Sequence, residues 1–147
     1  MAVIKPTLTL VSNASAATTD PGPLSVALTL SATDSLTVDE VASGIYTFDD
    51  ATSHTTIFDG SSFGADGLGG TVGGYIYLKN TSTSATVYIG IVADGGSASD
   101  IDASGDAARL FTLKAQEFAW LPYDYTMDVT ADSDGAATLE WWRFDRG

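Results

Sequence analysis

The segment GSSFG, residues 60–64, matches the G-x-S-x-G pattern of a nucleophilic serine at a sharp strand-to-helix turn. A hydrolase of this type needs a helix directly after the turn, and a histidine and an acid later in the chain. The residues that follow, ADGLGGTVGG, are too rich in Gly to form that helix, and the only histidine, His54, precedes Ser62. We therefore interpret residues 60–64 as a Gly-Ser turn and predict no catalytic residue.

His54 could also serve in a metal site, but only together with carboxylates. Neither H-x-H nor H-E-x-x-H occurs in the chain, although Asp49 and Asp50 lie a few residues before His54. We interpret His54 as a hydrogen-bonded residue of a loop between two strands.

Acidic loops raise the alternative of a calcium site, because Ca²⁺ prefers oxygen ligands. Asp132, Asp134 and Gly135 resemble part of an EF-hand loop, but Thr130 stands where such a loop begins with Asp. A second acidic loop, residues 93–108, contains Asp94, Asp100, Asp102 and Asp106. We favour solvated turn residues over calcium ligands and predict neither a metal nor a cofactor.

Charge and cysteine content narrow the class of protein. The chain of 147 residues has 6 basic and 19 acidic residues, a formal net charge of -13, and no Cys. This balance disfavours nucleic acid and anionic membranes as partners, because both are bound by clustered Lys and Arg. The apolar runs are too short to span a bilayer. The acidity fits either a soluble surface or a charge-matched protein partner.

Apolar residues alternate with polar ones along most of the chain, and clusters of Gly, Asp, Ser and Thr separate the alternating segments. This pattern predicts an all-β fold, a jelly-roll-like β-sandwich of about eight to ten short antiparallel strands. We expect at most one short helix, at TVDEVA (residues 37–42), where Thr37 and Glu40 have the spacing of a capping box. We predict a single domain over residues 1–147, with residues 1–12 as an N-terminal arm and residues 13–23 as a linker.

The predicted strands cover residues 7–12, 24–31, 44–48, 55–58, 74–79, 86–92, 109–114, 118–122, 126–131 and 138–144. We interpret YIYLKNTSTSATVYIGI, residues 75–91, as two strands of one hairpin. Long Gly-rich or acidic segments, residues 59–74 and 93–108, are predicted loops.

Several strands are apolar on both sides, which predicts a second covering layer: either a long loop or another protein. In LEWWRFDR, alternation places Leu139, Trp141 and Arg143 on one face and Glu140, Trp142 and Phe144 on the other. Tyr, Trp and Arg are enriched among the anchors of protein interfaces. The predicted interface residues are Tyr75, Tyr77, Tyr88, Trp141, Trp142, Arg143 and Phe144.

Three segments, YIYLKN (75–80), EFAWLPYD (117–124) and EWWRFDR (140–146), resemble small β-rich virion proteins of tailed bacteriophages, in particular marine and cyanobacterial ones. The resemblance covers roughly the C-terminal half and brings no active-site residue with it. It implies a structural protein on the outer capsid surface of a virion, assembled in the host cytoplasm. Its partners would be the major capsid protein or other virion proteins, and it would form a homo-oligomer, a dimer or trimer.

Three functions follow from these observations. The first is a capsid decoration, or cement, protein that binds and stabilises the assembled shell. The second is a tail, adaptor or fibre component of the virion. The third, from a different class, is a carbohydrate-binding β-sandwich module, which the 3 Trp, 6 Tyr and 6 Phe on a β scaffold would suit.

Overall fold

The computed structural model describes residues 2–4, 7–10, 28–31, 36–49, 54–60, 74–93, 95, 109–124 and 126–146. These residues form eleven strands and no helix that is long and apolar enough to cross a membrane. The strands are β1 Ala2–Ile4, β2 Thr7–Leu10, β3 Leu28–Ser31, β4 Leu36–Phe48, β5 Thr55–Phe58, β6 Gly74–Asn80, β7 Val87–Ala93, β8 Arg109–Leu113, β9 Phe118–Tyr123, β10 Met127–Ser133 and β11 Ala137–Arg146.

The chain divides into two compact units. The larger unit comprises residues 1–2 and 38–147, and the smaller comprises residues 3–37. In the smaller unit β2 pairs antiparallel with β3, from Thr7 opposite Ser31 to Leu10 opposite Leu28. Part of the predicted N-terminal arm therefore pairs within its own chain, while the predicted linker, residues 13–23, lies outside the described residues.

Strands β4 to β11 follow the path of a long hairpin that is rolled into two sheets. The first arm of that hairpin, β4 to β7, pairs with the second arm in the antiparallel pairs β4·β11, β5·β10, β6·β9 and β7·β8. The pairs β11·β6 and β10·β7 then join these strand pairs edge to edge within each sheet. The result is one sheet with the order β1-β4-β11-β6-β9 and a second with the order β5-β10-β7-β8. This is the winding of a jelly roll, and the predicted all-β class is confirmed.

Two local predictions were wrong. Residues 75–91 are not a hairpin, because β6 belongs to the five-stranded sheet and β7 to the four-stranded sheet. Residues 37–42 are not helical, because β4 runs through them and pairs with β11 from Val38 to Phe48. The ladder with β11 supplies more backbone hydrogen bonds than the one helical turn that a capping box would start.

The core lies between the two sheets and follows from alternation. In β6 every second residue is buried, including Ile76 and Leu78, and Val129 and Ala131 of β10 belong to the same core cluster. A fully buried aliphatic or aromatic side chain contributes about 1.5–3 kcal/mol. The core residues are Phe48, Phe58, Ile76, Leu78, Ala85, Val87, Ile89, Leu113, Tyr123, Val129, Ala131, Ala137 and Leu139.

Trp141 packs against this core and requires a glycine on the neighbouring strand. Its ring lies 5.0 Å from the ring of Phe58 in an edge-to-face arrangement. A Cβ atom on Gly44, which faces Trp141 across the β4·β11 pair, would lie 2.6 Å from the indole. Gly44 therefore leaves the space in which the indole lies against the backbone of β4.

One end of the sandwich is closed by the side chain of Asn80, which is fully buried. Its Nδ2 donates to the carbonyl oxygens of Ala85 (2.8 Å) and Leu113 (3.0 Å). Its Oδ1 accepts hydrogen bonds from the amide (3.0 Å) and the hydroxyl (2.6 Å) of Ser82. Asn80 therefore holds the connection from β6 to β7, which leads from one sheet to the other, and links it to the end of β8.

Asp128 holds the beginnings of the two predicted loops. Its buried carboxylate accepts hydrogen bonds from the backbone amides of Gly60 (2.7 Å) and Gly95 (3.1 Å). Both amides come just after a strand, β5 and β7 respectively. The burial of this carboxylate thus has a structural explanation.

Tyr123 connects the end of β9 to the start of β10, because its hydroxyl donates to the carbonyl oxygen of Met127. We expect Tyr123→Phe to lower the free energy of unfolding by about 1 kcal/mol, since the ring stays in place and one hydrogen bond is lost. Urea denaturation measures this change. Tyr46→Phe is the control, because the Tyr46 ring packs edge-to-face on Phe48 at 4.8 Å and its hydroxyl forms no hydrogen bond with another described residue. Equal stability of Tyr123→Phe and the wild type would contradict the prediction.

Candidate interaction face

The outer side of the five-stranded sheet gathers aromatic residues from three adjacent strands. Alternation turns Ile76 and Leu78 inward, so Tyr75 and Tyr77 lie on the outer side of β6. The register places Trp142 of β11 opposite Tyr77, and Tyr77 opposite Trp120 of β9. We call the six outer residues the aromatic face: Tyr75, Tyr77, Phe118, Trp120, Trp142 and Phe144.

The rings of the aromatic face hold one another in place. Tyr75 stacks on Trp120 with 5.6 Å between ring centroids, and Trp120 contacts Phe144 at 5.0 Å. Phe144 in turn stacks on Trp142 at 6.3 Å. A further pair, Tyr77 and Phe118, lies 6.0 Å apart. Such distances are typical of favourable aromatic pairs, so the surface is ordered before anything binds to it.

Much of this apolar surface is open to solvent. Phe118 is 55% exposed and Trp142 is 40% exposed. On the neighbouring strand β4, Val41 lies opposite Phe144 and Ile45 opposite Glu140, and they are 43% and 70% exposed. Single exposed apolar residues are ordinary, whereas a contiguous apolar patch marks a binding surface.

Two charged residues lie within the face, where Glu140 is opposite Lys79 in the register. The indole Nε1 of Trp142 donates to Oε1 of Glu140 at 3.2 Å, which orients the exposed ring. Burial, and secondly the negative charge of Glu140, raise the pKa of Tyr77 above its usual value of 10.0. The Tyr77 hydroxyl is therefore protonated at neutral pH and available as a donor.

Further acidic residues flank the strands of the face. Asp49 follows β4, Glu117 precedes β9 and Asp124 follows β9, and all three are exposed. The amide and the hydroxyl of Thr126 both donate to Asp124 and lower the pKa of its carboxyl group. The carboxylate of Asp124 therefore stays charged into mildly acidic pH.

The seven interface residues predicted from the sequence do not form one surface. Trp141 and Arg143 point between the sheets, and Nη2 of Arg143 lies 3.1 Å from Oδ2 of Asp145. Tyr88 belongs to the four-stranded sheet, where the guanidinium of Arg109 lies 4.3 Å from the centre of its ring. The other four lie on the aromatic face: Tyr75, Tyr77, Trp142 and Phe144.

Sequence reasoning missed Phe118 and Trp120, although alternation in FAWLPY places both on one side with Pro122. The amide of Asn80 donates to the carbonyl of Glu117, so hydrogen-bonded and non-hydrogen-bonded pairs alternate from that point along β6·β9. Pro122 falls at a non-hydrogen-bonded pair, where its missing N–H faces away from β6. Proline is therefore compatible with β9, and the segment could have been assigned to an edge strand.

The residues considered for catalysis or metal binding are only partly among the described residues. Nδ1 of His54 lies 3.3 Å from Oδ2 of the buried Asp132, whose Oδ1 accepts the amide of Ser133. Asp134 accepts the amide of Thr86. In the described part of the chain no group of three or more His, Cys, Asp or Glu residues could hold a metal ion. Ser62, Asp94, Asp100, Asp102 and Asp106 lie outside the described residues.

Comparison with protein families, curated proteins and solved structures gave no match to this chain. Jelly rolls host unrelated functions, so function has to be argued from the surface and not from the fold.

Proposed function

We propose that this protein is a structural component of a virion that binds the assembled capsid through its aromatic face and stabilises the shell. The observation that carries this proposal is the contiguous set of aromatic side chains on the outer side of three adjacent strands. Trp and Tyr are the residues that most often dominate binding energy in protein interfaces. The burial of each bound copy adds stabilising free energy to the shell, and the contribution repeats with every copy.

The resemblance of three segments to phage virion proteins also supports a binding role for the aromatic face. Residues 75–80, 117–124 and 140–146 are far apart in the chain, but they contain β9 and most of β6 and β11. These strands are neighbours in the order β11-β6-β9. The segments that resemble phage virion proteins therefore converge on one surface, as expected if they share a binding role.

Ring geometry favours a protein partner over a sugar. A sugar-binding platform needs a ring whose flat side is free to stack on the ligand. Here Tyr75 lies nearly parallel to Trp120, with 12° between the ring planes, and Trp142 lies at 13° to Phe144. Flat sides that stack on each other are less available to a sugar, whereas their edges fit an apolar protein surface.

The proposal predicts the copy number of the chain in particles. Quantitative mass spectrometry of purified virions encoded by the same genome should find this chain in a fixed stoichiometric ratio to the major capsid protein. A decoration protein must occupy repeated lattice positions, whereas a tail, adaptor or fibre component would be present in only a few copies. Absence of the chain from the particles would refute a virion role.

Binding of the isolated protein to a glycan array would instead favour the carbohydrate-binding alternative. The two experiments together separate the three functions.

A further inference from the structure

We infer that the aromatic face docks on a protein surface whose apolar centre is surrounded by Lys and Arg, and not on a second copy of this chain. This inference rests on the proposed function and specifies the chemistry of the capsid surface. The acidic residues that support it lie at the two ends of β9 and at the end of the neighbouring strand β4.

The acidic residues around the face form no ion pair with a described Lys or Arg. Oε2 of Glu117 accepts the backbone amide of Lys114 at 2.8 Å, and Oδ1 of Asp124 accepts the amide of Thr126 at 2.9 Å. These donors are uncharged. Among the described side chains, neither Glu117, Asp124 nor Asp49 is paired with Lys or Arg. An interface typically has an apolar centre and a polar rim, and this rim is negative.

A second copy is a poor occupant of such a surface. In a two-fold dimer the same patch faces itself, so the two acidic rims would approach each other. Each chain also contributes a net charge of -13 to the repulsion. A partner with a basic rim turns the same charges into attraction, which accelerates association.

The test uses the full chain and purified capsids from which the chain has been removed. Association rates are measured at about 50 mM and about 500 mM NaCl, because salt screens charges on an exposed rim. Glu117→Gln and Asp124→Asn are each expected to slow association roughly twofold or more at low salt, and together about fourfold, with the difference lost at high salt. Both amides keep an oxygen that can accept the existing hydrogen bond.

Asp134→Asn is the matched control. Asp134 is exposed and its Oδ1 accepts a backbone amide, that of Thr86 at 2.7 Å, but it continues the four-stranded sheet away from the aromatic face. It should associate at the wild-type rate. Equal rates for the wild type and both rim variants would overturn the basic rim while leaving capsid binding intact.

Two further outcomes separate the remaining cases. Failure of the wild type to bind stripped capsids would overturn the proposed function and the inference with it. Concentration-dependent dimers in sedimentation that disappear with Trp142→Ala would identify a second copy as the occupant and overturn the inference alone.

Discussion

Replacement of Asn80 by Ala is expected to lower the free energy of unfolding by about 3 kcal/mol. The change removes the oxygen that accepts from the Ser82 amide and hydroxyl, so that the hydroxyl keeps only the carbonyl of Ala85. It also leaves the carbonyl groups of Ala85 and Leu113 without their Asn80 donor. Asn80 is fully buried, so water cannot replace these bonds without opening the end of the sandwich. Equilibrium denaturation in urea, with the m-value held as a check on two-state behaviour, measures the loss.

Asn80→Asp tests the donors alone, because it keeps an acceptor for Ser82 but replaces Nδ2 with an oxygen. We expect it to destabilise at least as much as Asn80→Ala at neutral pH, since a carboxylate would face two carbonyl oxygens in a buried site. Thr83→Ala is the control, because Thr83 is an exposed residue of the same connection. A loss below about 0.5 kcal/mol for Asn80→Ala, the range of ordinary surface changes, would show that this network does not close the sandwich.

Trp142→Ala is expected to weaken binding to stripped capsids by about 2 kcal/mol, roughly a 30-fold rise in Kd. Trp142 is 40% exposed at the centre of the outer surface and stacks on Phe144, so truncation removes contact area and also loosens a neighbouring ring. The effect on folding should be smaller than the effect on binding, because the side chain lies outside the core. A pull-down titration and a thermal melt on the same variant compare the two.

Leu110→Ala is the matched control for this prediction. Leu110 is 48% exposed and apolar, but it lies on the four-stranded sheet. It should bind capsids as the wild type does. If Leu110→Ala weakens binding and Trp142→Ala does not, the docking surface is on the four-stranded sheet, and the proposed role of the aromatic face is wrong.

Four of the six residues of the aromatic face could be predicted from the sequence. Alternation in YIYLKN and LEWWRFDR correctly separates Tyr75 and Tyr77 from Ile76 and Leu78, and Trp142 and Phe144 from Leu139. Phe118 and Trp120 completed the face only in the structure, because nothing local to FAWLPY indicates that it pairs with β6. Val41 was missed because a helix-start pattern at residues 37–42 concealed the first half of β4. Ile45 lies in a predicted strand, residues 44–48, but nothing local indicates that this strand pairs with β11.

By itself, the sequence determined most of the strands and the side of each that a residue occupies, because the pleat of a β-strand has a period of two residues and is a local property. Only the tertiary structure decided which strands are neighbours. A polar connection such as NTSTSAT can join two strands of a hairpin or carry the chain from one sheet to the other. The choice depends on burial and on pairing with distant segments, here β11 and β9 for β6, and β10 and β8 for β7. The aromatic face is a product of that long-range pairing.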